Sequence, residues 1–279
     1  MKSKHRMISI IFILGVSLLF NGCFASQSRR FKSSAVDFLY PNSEVIEKVS
    51  IPHLSLPLRV GIAFVPEPYQ RFAVNRISSK DKLDLLKKIS DRFKALPFVK
   101  EIELIPTEYL RNGGGFTNLD QIKTMYNIDV IALVSYDQVQ HTDDSMLSFS
   151  YFTIIGAFVV QGDKNDTNTM IDVVVYDIAS RKLLFRAPGT SLVNHRSSPV
   201  NLSEELRKDS MEGFYNAADD LIINLNDALE RFKEKVKERP EEYTISHKAG
   251  YTGGGSLGLL YSIVLVMLGG LGLWRRKEK

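Results

Sequence analysis

The sequence predicts an α/β fold: a single mixed-sheet domain over residues 57–238, ending in a long C-terminal amphipathic helix. Three observations carry this expectation. Short β-rich apolar runs alternate with helix-period segments over residues 58–138. Two further apolar runs, 170–176 and 182–186, flank a tight turn. Apolar residues then recur in steps of three and four from Met211 to Val236, which is the spacing of one helix face.

Taken in order, "LRVGIAFV" (58–65) is rich in β-formers and reads as a buried strand. "SSKDKLDLLKKISDRFKALP" puts Leu83, Leu86, Ile89, Phe93 and Leu96 on one helical face, with Ser79 as the cap and Pro97 as the stop. "FVKEIELIP" alternates at Ile102 and Leu104, a second strand. "NLDQIKTMYN" suits a short helix, and "IDVIALVSYDQ" a third strand apolar on both faces at its centre. A polar patch (141–145) follows. The apolar run 146–160 is short for a membrane span and reads as one long or bent strand. "DKNDTNT" reads as a turn cluster, "DIAS" as a hairpin turn, and 190–201 as a loop.

The last helix carries Met211, Phe214, Ala218, Leu221, Leu225, Leu229, Phe232 and Val236 on one face. Asn201 and Glu204 form a capping pair, and Pro240 ends the helix. The apolar face is expected to pack on the sheet. Beyond Ala228, a coiled-coil partner is the alternative. Residues 23–56, serine-rich at first, read as a tether, with "DFLYP" docking on the domain. Residues 239–252 read as a polar linker.

The chain has 279 residues and a formal net charge of +4. The excess lies at the ends: Lys2, Lys4 and Arg6 at one, Arg275, Arg276, Lys277 and Lys279 at the other. What remains is slightly acidic, which argues against nucleic-acid binding. Residues 1–22 have the order of a secretory signal peptide: a basic start, an apolar run, then small residues. Cys23 is the one cysteine, so no internal disulfide forms. Residues 257–274 carry no charge. At about 1.5 Å per residue they span about 27 Å as a helix, enough for a hydrocarbon core. Trp274 suits the interface, and the basic tail belongs on the cytoplasmic side.

"LLFNGC" resembles a lipobox, the processing signal of bacterial lipoproteins; Phe20 and Asn21 depart from its usual residues. The resemblance implies that lipoprotein signal peptidase cuts between Gly22 and Cys23. It also implies that acyl transferases place a covalent diacylglycerol and an N-acyl chain on Cys23. Phe24, in place of a retention aspartate, implies delivery to the outer membrane by lipoprotein carrier machinery. Gly253, Gly254, Gly255 and Ser256, followed by the apolar run and basic tail (253–279), resemble the GlyGly-CTERM sorting signal. That resemblance implies cleavage by rhombosortase, an intramembrane protease of the rhomboid family. Glycines at a membrane surface unwind readily and leave the backbone open to such a protease.

Together the two signals resemble those of the rhombotarget lipoproteins. This implies a Gram-negative envelope protein, in the inner membrane as precursor and at the outer membrane or cell surface when mature. Membrane lipid is then a partner, and the acyl groups on Cys23 are the only cofactor implied. The alternative is a permanently bitopic inner-membrane protein that keeps its helix.

The middle of the chain offers little catalytic pattern. "RNGGGFTNLD" sets Gly113, Gly114 and Gly115 before a helix. It lacks the Lys-Ser/Thr of a phosphate loop and reads as a tight connection, with an anion cradle as the alternative. His53, His141, His195 and His247 are scattered without metal-ligand spacing, so no metal is expected. His141 with Asp143 and Asp144 is the best metal candidate, and a solvated loop is the plainer reading. His195 near Ser191 or Ser197 imitates a hydrolase fragment without a Gly-x-Ser-x-Gly elbow. Tyr136–Asp137 and Tyr176–Asp177 read as strand ends. Asp219–Asp220 and Glu204–Glu205 are adjacent on a helix and are expected to point apart.

No catalytic residue is assigned. The domain is expected to be a binding or envelope-assembly module rather than an enzyme, with a surface-presented envelope hydrolase as the alternative. An enzyme would show convergent titratable groups in a pocket; a module would show apolar surface or an open sheet edge.

Overall fold

The computed structural model describes residues 27–41, 48–67, 77–143, 163–197, 201–249 and 251. Gly22, Cys23, Gly253, Gly254, Gly255, Ser256, the 257–274 helix and the 146–160 strand all lie outside these residues. In chain order the elements are β1 (Gln27–Lys32), α1 (Ala35–Leu39), β2 (His53–Leu56), β3 (Leu58–Phe64), α2 (Ser79–Phe93) and β4 (Val99–Leu104). Then come α3 (Gly115–Tyr126), β5 (Val130–Asp143), β6 (Asp163–Asp177), β7 (Lys182–Ser197), α4 (Leu202–Glu238) and β8 (Thr244–His247).

The main sheet has the order β4-β3-β5-β6-β7, with β1 also on β5. β3 runs parallel to both β4 and β5. β6 and β7 are joined by a tight turn, which only an antiparallel pair allows. The fold is therefore α/β with a mixed sheet and a long C-terminal helix. Central β3 is apolar along most of its length because it is covered on both faces. A separate pair, β2 and β8, runs parallel, with Leu54 opposite Ile245.

The described residues fall into two compact units: one from 27–30, 138–143, 163–168, 192–197 and 201–213, the other from 31–41, 48–67, 77–137, 169–191, 214–249 and 251. In the second unit, alternation along the strands sends side chains to two faces. Ala63, Ile131, Leu133, Val174 and Tyr176 pack against Phe38 and Leu39 of α1 and Phe116, Leu119 and Ile122 of α3. Ile62, Ala132, Val173 and Val175 face the other way, towards Ile89 of α2 and Leu225 and Leu229 of α4. Among the described residues of the first unit the buried side chains are mostly polar, with Val193 and Leu206 apolar beside them. Gln140 Nε2 donates to Thr167 Oγ1 at 3.2 Å and to the Leu206 carbonyl at 2.8 Å, and Gln138 Nε2 donates to the Ser210 carbonyl at 3.1 Å.

Several boundaries differ from the sequence reading. Ser78, not Ser79, caps α2: its Oγ accepts from the Asp81 N–H at 3.1 Å. The buried face of α2 is Leu85, Leu86 and Ile89, and Leu83 is exposed. α3 begins at Gly115, ahead of the expected short helix, and ends on Asn127 with φ 52°, a left-handed cap. β5 continues through His141 to Asp143. β6 begins in the expected turn cluster, and β7 runs through most of the expected loop. The physical reason is shared. Gln138, Gln140, Thr142, Asn165, Thr167 and Ser197 are buried polar residues, so these strands lack an apolar alternation to read.

The segment expected as a tether carries β1, α1 and β2, and the expected linker carries β8. "DFLYP" does dock. Phe38 and Leu39 are buried, and the Tyr40 ring meets Phe116 edge-on at 5.7 Å.

Candidate functional site

Between the second face of the sheet and helices α2 and α4 lies a cavity of about 380 Å³. That is within the range of small-molecule sites, about 300–1,000 Å³. Its floor is Val60, Ile62, Val130, Ala132, Val173 and Val175 of the sheet. One wall is Ile89 and Phe93 of α2, continued by the Leu96–Val99 connection that Pro97 forces out of helix. The opposite wall is Leu225, Leu229, Phe232 and Val236 of α4, whose steps of three and four place them on one stripe. Leu54, Leu56, Ile245 and Tyr251 close one end.

No Ser, His, Asp or Glu lines this cavity among the described residues. Its charged lining groups are Lys233 and Lys237. Lys233 Nζ sits 2.6 Å from Glu230 Oε1 and 5.2 Å from the centre of the Phe98 ring. Phe232 is fixed by Phe185 at 5.4 Å and Tyr243 at 5.5 Å. Such a lining stabilises an apolar guest by taking its surface out of water.

The first unit holds a second cluster. His195 Nδ1 lies 2.5 Å from Asp209 Oδ1. The histidine is 47% exposed and the aspartate is fully buried. The hydrogen bond to Asp209 holds the His195 pKa above its ordinary value. Burial pushes the Asp209 carboxyl up, while the contact with His195 pulls it down. Asp209 Oδ2 is buried with no hydrogen-bond partner among the described residues. Ser197 is buried and accepts from Asn165 Nδ2 at 2.8 Å, and Ser191 is half-buried on β7. The arrangement orients an imidazole but brings it no exposed hydroxyl among its recorded partners.

The remaining sequence candidates resolve into structural roles. Gly113 and Gly115 have φ of 64° and 58°, which favour glycine. A Cβ on Gly113 would lie 3.1 Å from Pro41 Cβ, and one on Gly115 3.3 Å from the Leu39 carbonyl oxygen. The glycine run is thus the seat on which α1 rests. His141 is exposed on β5 with Asp143 two residues on, and Asp144 lies outside the described residues. His53 Nε2 lies 2.9 Å from Ser246 Oγ, and the His247 ring stacks on Tyr251 at 5.5 Å. No cluster of three His, Cys, Asp or Glu able to hold a metal occurs among the described residues.

Tyr136 is buried and meets Phe214 edge-on at 5.9 Å. Burial raises the Tyr176 hydroxyl pKa far above its usual range, and Tyr40 beside it adds to the rise. Asp177 Oδ2 accepts from the Ser180 N–H at 2.9 Å and shapes the hairpin turn. Asp219 and Asp220 do point apart: the first pairs with Lys88, the second accepts from the Thr190 N–H at 2.8 Å. Glu204 and Glu205 do not, since both reach Lys208 Nζ at 3.0 Å. Steps of four and three along the helix bring one ammonium to both.

Sequence reading missed the cavity. The signal was present in two apolar helix stripes and in strands apolar on both faces. Which stripes leave space between them depends on packing distance, which no linear pattern reports.

No protein-family model matches the chain. No curated protein matches it. Among solved structures, the chain is similar to the PelC dodecamer from Paraburkholderia phytofirmans at 8% identity and a TM-score of 0.26, over 70% of this chain and 97% of that one. A point variant of the same PelC dodecamer matches at 6% identity and a TM-score of 0.25, over 70% of this chain and 99% of the other.

Proposed function

We propose that this chain is an exported, lipid-anchored envelope protein whose folded part is a binding module for an apolar ligand. Lipoprotein signal peptidase and acyl transferases convert Cys23 to the anchor. Rhombosortase cuts near Gly253, Gly254, Gly255 and Ser256 and removes the 257–274 helix. Carrier machinery then takes the mature protein to the outer membrane or cell surface. The lipobox-like and GlyGly-CTERM-like ends support this route. The observation that carries the binding reading is the cavity, whose lining is apolar apart from Lys233, Lys237 and Tyr251. The hydrolase alternative draws support from the His195–Asp209 pair alone, and that pair is joined by no exposed nucleophile among its recorded partners.

The test is extraction. The protein is purified from its own host envelope and extracted with organic solvent, beside a Leu229→Trp variant that fills the cavity. A compound recovered in near-stoichiometric amount from the parent and lost from the variant is the expected result. Equal recovery from both would remove the cavity from the function.

A further inference from the structure

We infer that the cavity takes the acyl chain of a lipid with an anionic head, whose charge rests against Lys237. This deepens the binding-module reading and rests on it. The cavity presents no acceptor or donor pattern that would select a polar ligand, so its guest is recognised by apolar area and length. Discrimination comes from the rim. Both charged lining groups are cationic. Lys233 already has Glu230. Lys237 is exposed, and among the described residues no carboxylate lies within ion-pair distance of it. A guest with a carboxylate or phosphate head gains a charge-assisted contact there, and a cationic head is repelled.

The place of the rim points to the same ligand. Tyr251, half-buried, also lines the cavity. Gly253 follows two residues later, and two residues reach at most about 7 Å. On the proposed route, residues 257–274 hold the precursor in the bilayer. That span begins six residues after Tyr251, at most about 22 Å of chain, which keeps the cavity edge within reach of the lipid headgroups. An acyl chain can pass between bilayer and cavity without crossing a long path through water. The shared chemistry is an alkyl chain with an anionic head, supplied either as a free fatty acid or as an anionic phospholipid.

The full chain in phosphatidylcholine nanodiscs tests this. One probe is palmitate with a diazirine at its chain end; the other is a hexadecyl quaternary ammonium with the same diazirine. Both enter the bilayer, and on illumination each loses N2 and inserts into a neighbouring bond. Peptide mass mapping locates the label. The palmitate probe is expected to label the 225–237 segment about tenfold more than the ammonium probe, equivalent to about 1.4 kcal/mol. Lys237→Glu should erase most of that preference. Leu229→Trp should lose the label while melting as the parent does. Should that variant fail to fold, Val173→Phe blocks the cavity from the sheet side.

Equal labelling by the two probes overturns the anionic head and leaves the apolar binding reading standing. No label in the cavity from either probe overturns both. So does undiminished label in a folded, cavity-blocked variant. Suppression by excess palmitate identifies a free fatty acid, suppression by phosphatidylglycerol a membrane lipid, and failure of both to compete overturns the acyl assignment.

Discussion

At the scale of single residues, the His195–Asp209 contact makes a pH dependence that can be given a sign. His195 is held above its ordinary pKa by the bonded carboxylate. Its contribution to stability is complete below the unfolded value, about 6.5, and is lost as pH rises through the raised folded value. Burial raises the Asp209 pKa, so ionising that group in the folded state also costs stability as pH rises. Both act in one direction but over different windows: the Asp209 loss begins above the unfolded carboxyl value, about 4, and the His195 loss above about pH 6.5. In His195→Ala the buried carboxylate loses its recorded partner, which costs about 1–3 kcal/mol. Urea unfolding of parent and variant across pH 6–9 checks this; an undiminished slope in the variant contradicts it.

Gly189 gives a second prediction. A Cβ there would lie 2.1 Å from the Ala217 carbonyl oxygen and 2.5 Å from Leu221 Cβ, where β7 meets α4. Gly189→Ala should destabilise by about 1–3 kcal/mol, because helix backbone must move to admit the methyl group. Little of this was legible beforehand. His195 stood out as a histidine near serines, but its partner is 14 residues away on another element. An aspartate on a charged-looking helix gives no sign that it is buried.

At the scale of elements, the sequence spoke clearly where one face is apolar and the other polar. Strand β4, the α2 crossover and the heptad-like stripe of α4 were legible for that reason, and β3 was legible as a short apolar run covered on both faces. It was silent where inward positions are polar, as in the far part of β5, the start of β6 and the far part of β7. The α2 face was off by one step. Leu83 satisfies the spacing, yet the helix turns Leu85 inward and leaves Leu83 41% exposed. Periodicity alone cannot choose between neighbouring stripes when both hold leucines. The difference is measurable: Leu85→Ala should cost about 2–5 kcal/mol, and Leu83→Ala should stay within about 0.5 kcal/mol. Equal losses in denaturant titration would mean that the helix is rotated. Ser78→Ala should cost about 1 kcal/mol through loss of the cap, while Ser79→Ala should cost little.

At the scale of the whole molecule, the two proposed processing signals and the apolar cavity form one account. On the route we propose, lipid on Cys23 would hold the mature protein, the 257–274 segment would hold only the precursor, and Tyr251 at the cavity lies close in sequence to that second tether. Among the described residues no helix is long and apolar enough to cross a membrane. Each buried methylene of an acyl group contributes about 0.8 kcal/mol, so the three chains proposed on Cys23 would anchor the mature protein firmly.

The intact mass of the protein purified from its own host envelope tests this account most directly. It predicts a chain that begins at Cys23 carrying three acyl groups and ends within or next to residues 253–256. A mass that retains Trp274, or a Cys23 without lipid, contradicts it.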